Sequence, residues 1–161
     1  MTTGLELAVL QRFAESEADP VIAAVGDYWR GLARGALPPR RSFDFMAIYR
    51  HAPHLLMAER AADQAFRFVY CGTLVAENFP IDLTGRTFGP DTPRVSKVPW
   101  PRMFGGVLDT PGVLYGRMPI DWPNPRHRSI AFGIFPLADD TGAARFALAC
   151  LCFEEIPREL R

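Results

Sequence analysis

Through the first third of the chain, apolar residues recur at three- and four-residue steps. Leu5, Ala8, Leu10 and Phe13 form one such set, and Val21, Val25, Tyr28, Trp29 and Leu32 form another. That period predicts two helices. Glu15-Ser16-Glu17 reads as the solvated end of the first, and Asp19-Pro20 opens the second, with Asp as N-cap and Pro at the first helical position. Gly35 and Leu37-Pro38-Pro39 stop it. A short helix follows from Ser42, capped by Ser42 or Asp44 and ended before Pro53. The period then shortens to two. Residues 54–59 and 66–71 read as strands around a turn at 61–64, and in the second strand Phe66, Phe68 and Tyr70 alternate with Arg67, Val69 and Cys71. Thr73 caps a short helix through Asn78, which Pro80 ends, and residues 100–108 make another with Pro101 in its first turn. Strands at 113–120, 129–137 and 145–153 complete the pattern, with Asp139-Asp140-Thr141-Gly142 as the turn before the last.

This order of elements is an α+β plan with a five-stranded antiparallel sheet. It divides the chain into a helical extension at 1–36, a main domain at 37–155 and a tail at 156–161. The last strand is apolar on both faces. Phe146, Leu148, Cys150 and Cys152 share one, and Ala147, Ala149, Leu151 and Phe153 the other. Burying one large apolar side chain gains roughly 1.5–3 kcal/mol, so both faces require cover. Short helices serve for one. The N-terminal helices, or a second copy of the chain, serve for the other.

Composition narrows the function. Among 161 residues, 18 basic side chains balance 18 acidic ones, so no general field draws nucleic acid or an anionic membrane. No apolar run is long enough to span a bilayer, and the acidic N-terminus lacks the basic start of a secretory signal, which points to the cytoplasm. Charge is nonetheless segregated: residues 1–29 hold one Arg against five acids, and residues 30–51 hold five Arg against Asp44. Arg30, Arg34, Arg40, Arg41 and Arg50 form a cluster for an anion or partner, but solvation or pairing with acids is the commoner fate of such arginines. Residues 80–125 hold nine of the 15 prolines, which argues against long regular elements there.

Candidate chemistry is sparse. His51 and His54 have the spacing of a helical metal pair, but Pro53 breaks the helix that would align them. Cys71, Cys150 and Cys152 include no CxxC pair and have no neighbouring histidine in sequence, so they read as buried reduced thiols. Cys150 and Cys152 are two apart, and on one face of a strand that is too constrained for a routine disulfide. Neither a phosphate-binding glycine loop nor a GxSxG elbow is present. Trp100, Met103, Phe104 and Trp122 are candidates to line a ligand cavity.

Several short segments occur in an ordered series: Tyr28-Trp29-Arg30, Leu37-Pro38-Pro39-Arg40, Phe43-Asp44, His54-Leu55-Leu56, Phe66-Arg67-Phe68, Gly72-Thr73, residues 82–86 and residues 135–140. In this series the chain resembles a bacterial family of stand-alone PAS-domain proteins common in alphaproteobacteria. The resemblance covers residues 27–153 apart from the poorly matching stretch 88–127. It implies a five-stranded antiparallel sheet with short helices and a connecting helix across one face. It also implies a non-enzymatic sensory or regulatory module that binds a small ligand, a protein partner, or both, in bacterial signalling. The residue marks of flavin or haem sensors of that fold are missing, so no cofactor is expected.

We therefore expect a cytoplasmic homodimer joined through its N-terminal helices, with a separate signalling protein as a further partner. Phe68, Tyr70, Trp100, Phe104 and Tyr115 are expected to line a ligand cavity between sheet and helices. Two alternatives remain. One is a small α+β enzyme with a polar pocket around Tyr115, Asp121 and His127; the other is a ligand-free adaptor docking an acidic partner on Arg40 and Arg41.

Overall fold

The computed structural model describes residues 11–12, 14–62, 64–89 and 100–160. Its elements in chain order are β1 (Gln11–Arg12), α1 (Pro20–Leu32), β2 (Leu55–Arg60), β3 (Phe66–Cys71), α2 (Thr73–Asn78), β4 (Thr87–Phe88), α3 (Trp100–Asp109), β5 (Leu114–Pro119), β6 (His127–Ala138) and β7 (Ala144–Glu155). The strands form one sheet in the order β1-β5-β6-β7-β2-β3-β4, and every pairing is antiparallel. The α+β class holds, but the described residues form seven strands rather than five. The two additions are only two residues long, too short to carry an alternating pattern, and they line the rims of β5 and β3.

Helix α1 begins as its sequence dictates. Asp19 Oδ1 accepts a hydrogen bond from Val21 N at 2.8 Å, and Pro20 occupies a position whose N–H needs no partner. Its buried stripe of Ile22, Val25 and Gly26 lies on β6 and β7, and Trp29 Nε1 donates to Pro136 O at 2.8 Å. Gly133 lets the helix approach closely: a Cβ there would stand 2.8 Å from Ile22 Cγ2.

Both faces of β7 are covered, and its alternation sorts the core into two layers. Leu56, Ala58, Phe66, Phe68, Ala147, Ala149 and Leu151 face α2 and α3. Leu55, Met57, Leu148, Cys150 and Cys152 face α1.

Three local expectations need correction. The first expected helix lies mostly outside the described residues, but Gln11 and Arg12 within it are strand, paired with Arg117 and Gly116. The segment after Ser42 is not a helix. It is a series of tight turns between 3-10 turns at Arg40–Ser42 and Ala52–His54, because Asp44 Oδ1 captures Met46 N at 2.9 Å and the backbone continues in i to i+3 bonds. Thr73 is the first helical residue of α2 rather than its cap. Gly72 stands at the cap because a Cβ there would meet the carbonyl oxygens of Ala52 and Pro53 at 2.4 Å.

Candidate functional site

The five residues expected around one cavity divide between the two layers. Phe68, Trp100 and Phe104 meet between the sheet and α3, with ring centroids 6.2 Å apart for Phe68–Phe104 and 5.7 Å for Trp100–Phe104. Phe66, Phe79 and Phe88 close around them. Met103 joins this layer as a buried residue and Trp122 packs at its margin. Trp100 Nε1 is buried there with no hydrogen-bond partner among the described residues.

Tyr70 and Tyr115 belong to the α1 layer. A β-bulge in β3 explains Tyr70. Met57 pairs with Tyr70 and the adjacent Ala58 pairs with Phe68, so Val69 is an extra residue that turns everything after it to the opposite face. Tyr70 consequently stacks on Phe45 at 4.1 Å and its hydroxyl donates to Ala52 O. Tyr115 packs edge-on against Phe135 beneath α1.

Tyr115 and His127 do not converge. Tyr115 pairs with Gly133, six residues along β6 from His127, a separation of roughly 20 Å. The His127 ring lies against Phe153, with Nδ1 2.8 Å from Asn78 Oδ1, while Trp122 Nε1 donates to Asn78 O and Asn124 Nδ2 to Asn78 Oδ1. This network ties the end of α2 to the loop before β6.

The arginine cluster is largely engaged. Arg30 pairs with Glu15 and Asp27, Arg41 with Asp140 at 2.8 Å, Arg40 lies over the Phe45 ring and Arg50 over Tyr49. Arg34 lines a half-open groove of about 340 Å³ with Leu37, Pro39 and Ser42 at the end of α1.

A thiol–imidazole cluster lies at the other end of the α1 layer. Pairing of Leu55 with Cys150 brings His54 beside Leu151 and Cys152, and His54 Nδ1 lies 2.9 Å from Leu151 O. A carbonyl only accepts, so Nδ1 carries a proton, and in the neutral ring Nε2 is the free acceptor. Cys150 and Cys152 share the face under α1.

Their titration diverges. The neighbouring Cys150 and His54 outweigh burial and bring the Cys152 thiol down to about 7, while Cys152 and deep burial push Cys150 well up. The neighbouring Cys152 raises His54, assisted by the bond to Leu151 O. Burial pushes the half-buried Cys71 thiol up to about 11. Among the described residues, no group of three or more His, Cys, Asp or Glu could hold a metal ion.

No linear signal marks this cluster. His54 and Leu151 are 97 positions apart, and only the β2–β7 register brings them together. The other two candidate sites fared differently in sequence, since the ring layer was visible in aromatic content and the arginines in charge segregation. Among the described residues no helix is long and apolar enough to cross a membrane. No protein-family model matches the chain, and no curated protein is similar to it.

Proposed function

We propose that the chain is a PAS-like sensory and regulatory module of the cytoplasm, without catalytic chemistry. It holds a small ligand at the Phe68–Trp100–Phe104 rings and reports to a protein partner, itself paired with a second copy through its N-terminal residues. The observation that carries this reading is the layout of the five long strands. β2, β3, β5, β6 and β7 run β5-β6-β7-β2-β3 across the sheet, and the β3-to-β5 connection lays α2 and α3 over one face. A five-stranded antiparallel sheet with helices across one face is what the resemblance in residues 27–153, outside the poorly matching stretch 88–127, implies. The indole N–H of Trp100 supports the ligand half of the reading. A buried donor left without an acceptor costs about 1–3 kcal/mol, which an oxygen or nitrogen acceptor on a ligand would recover.

Native mass spectrometry of the full chain, purified without added ligand, tests both halves. The expected spectrum is a dimer carrying extra mass that is released on denaturation, and Trp100→Phe lowers the bound fraction. A bare monomer, with Trp100→Phe indistinguishable from wild type, would overturn the reading.

A further inference from the structure

Building on the reading of the chain as a module that reports to a protein partner, we propose what that partner presents. The groove at the C-terminal end of α1 docks an acidic peptide segment whose carboxylates flank an aliphatic side chain. Gly31 and Leu32 line the groove from the last turn of α1, and Arg34, Leu37, Pro39 and Ser42 line it from the segment that follows. Leu32, Leu37 and Pro39 are only partly buried, so each offers apolar surface to an occupant. A Cβ on Gly31 would meet no atom within 4 Å, so the groove is open there.

Charge selects the sign of the partner. Residues 30–51 hold five Arg against one acid, Asp44. Most of these arginines are engaged. Arg30 pairs with Glu15 and Asp27, Arg41 pairs with Asp140, Arg40 donates to Phe43 O, and Arg50 lies over the Tyr49 ring. Arg34 is exposed and, among the described residues, has no acid as a partner. The Ser42 hydroxyl in the same groove likewise makes no hydrogen bond among the described residues. An acidic partner was expected on Arg40 and Arg41, but the cation left for one is Arg34, with Ser42 as a second donor.

Two features favour a peptide over a small carboxylate. A volume of about 340 Å³ lies at the small end of ligand sites, which span roughly 300–1,000 Å³ and enclose most of what they bind. A half-open groove encloses little, but it can hold one side chain of a peptide while the rest runs on over the surface. The second feature is the helix end itself. Gly31 and Leu32 belong to the last turn of α1, whose carbonyls lack N–H partners within the helix and whose dipole repels a bare anion. A peptide brings backbone N–H groups for those carbonyls together with a carboxylate for Arg34.

The test selects a phage-displayed library of random peptides on the full-length protein and titrates the enriched peptides by fluorescence anisotropy. Sequences in which Asp or Glu flank Leu, Ile or Val are expected to be enriched, and added salt weakens their binding. Arg34→Glu weakens such a peptide at least about tenfold. Gly31→Leu does the same by filling the groove, and it keeps the fold because its side chain enters open space and favours the helix. Hexanoate in excess does not compete. No enrichment, enrichment of neutral or basic peptides, binding unchanged by either variant, or competition by hexanoate would overturn the proposal. So would conversion of a dimer to monomers by Gly31→Leu in native mass spectrometry, which would give the groove to a second copy of the chain. A bare monomer that still binds acidic peptides would sink the PAS-like reading alone, and a liganded dimer that selects none would sink the docking site alone.

Discussion

The two faces of the sheet are built from the same strands by the same alternation, yet they bury different things. The α3 face is a layer of aliphatic and aromatic side chains in which Phe66, Phe68, Trp100 and Phe104 touch ring to ring. The α1 face is apolar beneath the middle of the helix and polar toward its start. There it carries the two thiols and His54, and beyond them Glu154 Oε1 accepts from Arg117 Nε at 2.6 Å and from Ser129 Oγ at 2.8 Å. The difference teaches that one face is organised for cohesion. The other combines cohesion with groups whose protonation can change.

That contrast predicts unequal responses to substitution. The largest belongs to the α3 layer. Phe104→Ala removes a ring that contacts three others and should cost about 3–5 kcal/mol in denaturant unfolding. A loss below about 1 kcal/mol would mean that the layer is not the cohesive one. Next comes Gly133→Ala, whose methyl group must displace Ile22 and the Phe135 ring. It should cost about 1–3 kcal/mol and loosen α1, measured as faster amide exchange in 20–32 than in 100–109. Equal exchange in the two helices would break the comparison. The smallest effect is expected at Arg41→Ala. Its pair with Asp140 is exposed on both sides, and thermal unfolding should register a change within about 0.5 kcal/mol.

Much of this architecture was legible from spacing. The alternation in β7 assigned Leu148, Cys150 and Cys152 to one layer and Ala147, Ala149 and Leu151 to the other, as found, because a strand buried on both sides leaves no ambiguity of parity. Asp19-Pro20 marked the start of α1 because its cap is local chemistry. Tyr70 defeated the same reasoning. A bulge is a property of two strands together, and nothing within 66–71 announces that Val69 is the residue without a partner. His54 and Cys152 escaped for a related reason, since their proximity is set by strand register rather than by either local sequence.

The bulge at Val69 puts Phe68 and Tyr70, two residues apart on β3, on opposite sides of the sheet. Phe68 is embedded on one side and Tyr70 two residues later on the other, stacked on Phe45. The Tyr70–Phe45 stack and the Phe68 ring that meets Phe104 are thus joined by only two peptide units of β3. A strand of strict alternation would leave both of these side chains on one side of the molecule.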